Sequence, residues 1–296
     1  MAAPAQSPSA QVGFTASGLD SLPPPEMAHR AEEVGVAKAA LSADKLLALG
    51  VLAGAFIAMG AVFATTVTAG GSELPYGVVR LLGGIAFSLG LILVVVAGAE
   101  LFTGNNLIVM AWASRRVSTS RLLWIWALVY VGNFAGAIAT AGLMYLARQY
   151  RFGGGVVGEQ ALAIASAKVE LGFTQALVLG AFCNALVCLA VWLTYSARTT
   201  ADKILAVVPP IAAFVASGFE HSVANMYFIP FGLLVRHDDS WLASAGSGLD
   251  LSNLTWRAFI ADNLVPVTIG NVIGGTVMVA AFYWFVYLRA RPSGGG

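Results

Sequence analysis

Charge is scarce in this chain. Only 10% of its 296 residues are Asp, Glu, Lys or Arg, against about 25% in soluble domains, which excludes an ordinary water-facing globular surface. A formal net charge of +1 is silent on partners, but no basic patch or nucleic-acid module is present, so no nucleic acid is expected. Cysteine occurs twice, as Cys183 and Cys188 in one apolar segment. Five residues apart on a helix, they point to different faces and cannot easily bridge, so they read as packing thiols. No nucleophile motif, metal-ligand cluster or cofactor fingerprint is present; no metal and no cofactor are expected, and the chain does not read as an enzyme. The N-terminal region also lacks the apolar stretch a signal peptide needs.

What is present is apolar. The sequence is 58% hydrophobic and contains 33 glycines, a composition that suits tight helix–helix contact in lipid. Six apolar segments are predicted, at about 46–70, 78–114, 122–147, 170–196, 204–235 and 259–288, several long enough to cross a bilayer. Lys and Arg are denser in flanks that face inward if the N-terminus is inside, which predicts that both termini are cytoplasmic. Residues 1–25, rich in Pro, Ser, Ala and Gln, read as disordered. Residues 26–44 read as a short surface helix, and 291–296 as a loose tail. The predicted division is therefore a cytoplasmic tail and helix at 1–44, a membrane domain at 45–290 and a tail at 291–296.

Two segments are too long for one straight crossing. From Arg80 to Arg115 a continuous helix would run about 52 Å, against a hydrocarbon core of roughly 30 Å. The fifth segment contains Pro209, Pro210, Gly218 and Pro230. Both are predicted to be broken helices, with irregular backbone buried in protein or facing a wet cavity. The chain also repeats itself. Gly54-Ala55-Phe56 matches Gly180-Ala181-Phe182. Gly98, Glu100 and Asn105 match Gly218, Glu220 and Asn225 at identical spacing. Gly132-Asn133 and Gly136 match Gly270-Asn271 and Gly274. With three spans per repeat (about 45–150 and 168–290), the second must run inverted, which points to a midplane pathway at the repeat interface. The predicted class is thus an all-α membrane protein of six transmembrane segments in two inverted three-helix repeats, with helices two and five broken.

The breaks fall near Glu100–Thr103 and Glu220–Ser222. Thr103 and Ser222 are expected to N-cap the second half-helices, whose N-termini favour an anion. His221 is the one histidine inside an apolar segment. It reads either as a neutral bridge between helices or, preferentially, as a donor that meets a permeating anion and exchanges a proton with it. An acid–base pair of Glu220 and His221 in a membrane enzyme has no further support. Glu100 and Glu220 are read as acceptors for freed backbone or polar neighbours, since a carboxylate would repel anionic cargo. Asn133 and Asn271 bond either across helices or to cargo. Lys168 reads as an anion attractor or as an interfacial lysine. Phe87, Leu91, Leu101 and Phe214 read as hydrophobic constrictions or as plain packing.

The run from Phe214 to Asn225 with Ile229-Pro230, the run from Asp262 to Gly275, and Gly98 to Asn105 together resemble the signature of the formate/nitrite transporter family, over about residues 30–290 and most like its formate channel branch. That resemblance implies an aquaporin-like protomer in a homopentamer of the bacterial cytoplasmic membrane. It implies passive or proton-linked passage of formate, with nitrite, hydrosulfide or another short monocarboxylate as alternatives. It also implies roles: His221, Thr103 and Asn271 in the pore; Phe87, Leu91, Leu101 and Phe214 at constrictions; Lys168 with Asn184 near it for attracting the anion; and a gating part for the N-terminal helix. The first 25 residues and Gly104-Asn105 depart from the family pattern.

Overall fold

In the computed structural model, residues 20–245 and 248–289 are described, and every regular element among them is helical. The expected loose ends at 1–19 and 291–296 lie outside the described residues. Pro24 and Pro25, read as part of a disordered tail, instead start a helix: α1 runs Pro24–Ala39 with proline in its first turn, where no backbone N–H is needed. Nor is α1 a free surface helix. It buries Met27, Ala28, Ala31, Glu32 and Gly35, and Arg116 Nη1 donates to Glu32 at 3.0 Å.

The apolar segments appear as α2 (Ala43–Thr68), α3 (Tyr76–Leu93), α4 (Val109–Ala113), α5 (Thr119–Leu146), α6 (Val156–Val169), α7 (Phe173–Ser196), α8 (Thr200–Ala216), α9 (Ser222–Arg236), α10 (Asp239–Ala245) and α11 (Trp256–Tyr287). Among the described residues, five stretches, α2, α3 with its continuation to Gly98, α5, α7 and α11, are long and apolar enough to cross a membrane. The fifth predicted segment is instead divided between α8 and α9. Pro209, Pro210 and Pro230 all lie inside helices; the breaks fall on glycine. Gly98 (φ 81) and Gly218 (φ 73) adopt the left-handed conformation, which costs a residue with a Cβ roughly 1–2 kcal/mol.

Glycine also sets the helix pairing. A Cβ at Gly136 of α5 would lie 2.0 Å from the Val51 carbonyl of α2, and one at Gly270 of α11 would lie 2.0 Å from the Leu177 carbonyl of α7. The helices therefore touch backbone to backbone, as small residues allow where lipid offers no hydrophobic drive.

Candidate functional site

After each glycine the chain is extended or turned for a few residues, and its backbone groups need partners at membrane depth. One asparagine per half supplies them. Asn133 Nδ2 donates to the carbonyls of Gly50 (2.7 Å) and Glu100 (2.9 Å), and its Oδ1 accepts from the Phe102 N–H (2.9 Å). Asn271 Nδ2 donates to Gly180 (2.8 Å) and Glu220 (2.9 Å), and its Oδ1 accepts from the Ser222 N–H (2.9 Å). The N–H groups of Glu100 and Glu220 reach Leu49 (3.2 Å) and Leu179 (3.3 Å). These bonds pair Gly50, not Gly54, with Gly180, so the predicted match between α2 and α7 shifts by one turn.

The two carboxylates are tied in the same way. Glu100 Oε2 accepts from Lys38 Nζ (2.9 Å) and Asn105 Nδ2 (2.8 Å). Glu220 accepts from Lys168 Nζ at Oε1 (2.7 Å) and from Asn225 (2.7 Å) and Asn263 (3.3 Å) at Oε2. Lys38 stands on α1 as Lys168 stands on α6, each just ahead of the first long helix of its half. Sequence patterning alone does not single out Lys38 or Asn263; the signal for Lys38 is a lysine preceding each repeat.

His221 is 3% exposed. It, and not Ser222, caps α9: its Nδ1 accepts the Ala224 N–H at 3.0 Å. An accepting Nδ1 carries no proton, so a neutral ring holds its hydrogen on Nε2. Nε2 lies 3.0 Å from Thr103 Oγ1 and donates to it. The hydroxyl proton of Thr103 is left to face a third group. Thr103 makes no cap hydrogen bond, contrary to expectation; Gly104–Ile108 follows it as tight 3-10 turns before α4. The Thr103 carbonyl accepts from Asn184 Nδ2 (3.3 Å) and Cys188 Sγ (3.5 Å). Asn184 also donates to Asn106 (2.7 Å) and to the Asn271 carbonyl (2.6 Å). It ties the segment after the first break to α11, and it makes no hydrogen bond to Lys168.

Two cavities approach this pair. One of about 440 Å³ lies on the α1 side and is lined by Arg30, Lys38, Leu91, Glu100, Leu101 and Lys203, among others. The second, of about 280 Å³, lies on the α6 side and is lined by Arg80, Phe87, Lys168, Phe214, Glu220 and His221, among others. No residue lines both. Phe87 meets Phe214 edge-on with centroids 5.6 Å apart, and Phe214 stacks over the His221 ring at 6.1 Å. Asn271 lines neither cavity; its side chain is committed to backbone groups of the loop, the start of α9 and α7.

The Formate/nitrite transporter profile matches residues 25–285. The chain belongs to the formate/nitrite transporter family. It is 47% identical over 274 residues to Formate channel FocA of Escherichia coli (strain K12), covering 92% of this chain and 96% of that one. It is 38% identical over 265 residues to Formate channel FocA of Haemophilus influenzae, covering 88% and 93%. A solved structure described as a pentameric formate channel with formate bound superposes with a TM-score of 0.78 at 45% identity, over 83% of this chain and 98% of that one. An FNT family ion channel superposes at 0.73 with 29% identity, over 88% and 98%. As a member of a family of channels and transporters with several apolar helices, the chain is a membrane transport protein.

Proposed function

We propose that this protein is a channel passing formate, or a similar small monovalent anion, across the bacterial cytoplasmic membrane. Its membrane domain, about residues 45–290, crosses six times, with α8 and α9 together making the fifth crossing. Both termini are cytoplasmic, so the α1-side cavity is the inner mouth and the α6-side cavity the outer. Five copies assemble, each with its own pore. The observation that carries this reading is a pair of cavities that share no residue, one lined by His221 and the other by Leu101 and Gly104 on either side of Thr103, its hydrogen-bond partner.

Leu91 and Leu101 narrow the route from the inner mouth, and Phe87 and Phe214 from the outer. A bare charge passing such a constriction is costly. Near the midplane the Thr103 hydroxyl, polarised by Nε2–H of His221, offers the anion a donor. With Nδ1 held by Ala224, the ring works here as a hydrogen-bond donor. To carry an extra proton on Nδ1 it must release the first turn of α9, so proton-linked transport and half-helix capping are coupled through one atom. Gly98, Glu100, Asn105, Gly218, Glu220 and Asn225 build the breaks, and Lys38 and Lys168 neutralise the two carboxylates. Their ties leave Glu220 and His221 no free acid–base pair, which supports a channel over an enzyme.

The test is flux in reconstituted vesicles for formate, nitrite and hydrosulfide across a pH series. Thr103→Val, which keeps the shape and removes the donor, should slow formate about tenfold, the effect of one hydrogen bond of roughly 1–1.5 kcal/mol. His221→Phe should also remove the pH dependence. Formate flux and pH dependence unchanged in both variants would sink the assigned roles, and dominant nitrite flux would change the substrate.

A further inference from the structure

The α6-side cavity is lined by two cations and one carboxylate, Arg80, Lys168 and Glu220. Lys168 and Glu220 form an ion pair at 2.7 Å, so their fields largely cancel beyond a few ångströms. Arg80 does not share this fate. From the first turns of α3 its guanidinium reaches the broken end of α8, where Nε donates to the Ala216 carbonyl at 3.5 Å and Nη2 donates to the Val215 carbonyl. A Cβ on Gly218 would stand 3.5 Å from Nη2, which puts the cation at the break itself. Its partners there are neutral carbonyls, and among the described residues no ion pair joins it to a carboxylate. The far side shows a related placement. Lys203, in the first turn of α8, lines the α1-side cavity with Val94, Val95 and Gly98 at the broken end of α3. Only Arg80, however, is hydrogen-bonded to the helix end it faces.

We propose that Arg80 is the charge source of the α6-side mouth. It pins the end of α8 beside Gly218, and it supplies the uncompensated positive charge that draws a small monovalent anion toward His221, the task expected of Lys168. A helix C-terminus carries partial negative charge, which would otherwise face the incoming anion; Arg80 both covers it and reverses its sign. A fixed charge in a cleft with low-dielectric walls raises the local concentration of counter-ions and their rate of arrival. Such an effect is screened by salt, with a Debye length of about 8 Å at physiological ionic strength. The proposal rests on reading the route as an anion channel.

The experiment is concentration-dependent formate flux from the α6 side in vesicles of known orientation, at ionic strengths from about 0.05 to 0.5 M. Arg80→Gln keeps a donor toward the α8 carbonyls and removes the charge; Arg80→Lys keeps the charge and loses the two-point hold. In the wild type the half-saturating formate concentration should rise with salt. In Arg80→Gln it should be about three- to tenfold higher at low salt and insensitive to salt, with maximal flux within about twofold of wild type. Arg80→Lys should retain the salt response and most of the low half-saturation. A salt-insensitive wild type, an Arg80→Gln protein indistinguishable from wild type, or an Arg80→Lys protein as impaired as Arg80→Gln would each overturn the proposal. Wild-type vesicles that pass no small anion would overturn the channel reading itself, and this proposal with it.

Discussion

Asn133 and Asn271 make the same three hydrogen bonds in the two halves of the chain: two from Nδ2 to carbonyls, and one to Oδ1 from the N–H two residues after the matched glutamate. Each is 0% exposed, so no water replaces it. Asn133→Ala and Asn271→Ala each strand a buried N–H, at about 1–3 kcal/mol per unsatisfied group. Both should lower the thermal midpoint of the purified protein in detergent, by similar amounts. A loss in only one variant would show that the halves are not equivalent supports.

Much of this support is legible in the amino-acid sequence alone. The glycine, glutamate and asparagine spacings mark the breaks and their pairing, because polar groups at membrane depth stand out in a chain so poor in charge. Beyond Lys38 and Asn263, three features are not legible there. The correspondence between α2 and α7 shifts one turn from the expected match, since glycines recur four residues apart at Gly50 and Gly54 and either fits a close-contact pattern. His221 takes the capping place expected of Ser222, because a histidine ring can accept at Nδ1 while a residue-type preference favours serine. Asn184, expected beside Lys168, serves Thr103, Asn106 and Asn271; which face of α7 meets which loop depends on packing that periodicity does not fix.

The Lys38–Glu100 pair makes a prediction about charge and not only about contact. Lys38→Met leaves the buried Glu100 carboxylate with Asn105 alone. Removing one partner of a buried pair costs about 3–5 kcal/mol; the Lys38 side chain is 27% exposed, so solvent screening reduces this to on the order of 2 kcal/mol. Glu100→Gln added to Lys38→Met removes the stranded charge and keeps an acceptor for Asn105. The double variant should therefore melt above the single Lys38→Met variant. A double variant less stable than the single would show that the carboxylate itself, not the pairing, holds the loop.

A second ionic cluster should be silent in pH-dependent flux. Asp238 Oδ2 accepts from the Tyr150 hydroxyl (2.5 Å) and from Arg151 Nη2 (2.6 Å), tying the 149–155 turn to α10. Hydrogen bonds from Tyr150, Ser240 and Arg151 hold its carboxyl well below the usual carboxylate range. A carboxyl lowered in the folded state stabilises it above the unfolded pKa of about 3.9, and that stability is lost only as pH falls from there toward the folded value. Between about pH 4.5 and 8 the cluster stays ionised. Asp238→Asn should leave the shape of the flux–pH profile over that range as in wild type. A displaced midpoint in the profile would implicate this turn in the pH response.

The backbone contact between α7 and α11 sets the sharpest contrast among substitutions of one type. A Cβ at Gly270 would sit 2.0 Å from the Leu177 carbonyl oxygen, 2.9 Å from its carbon and 3.0 Å from the Ala181 nitrogen, all backbone; one at Gly142 meets nothing within 4 Å. Both glycines lie in helices, where alanine is favoured by roughly 1 kcal/mol. Gly142→Ala should thus be neutral or slightly stabilising. Gly270→Ala cannot be relieved by a side-chain rotation, so α11 must move away from α7. Asn271 is the next residue, and its bonds to Gly180, Glu220 and Ser222 would stretch with it. The expected result is a lower melting temperature for Gly270→Ala together with slower formate flux, because the loop that carries His221 loses its support. Flux and melting both equal to wild type in Gly270→Ala would show that the close contact does not position the break.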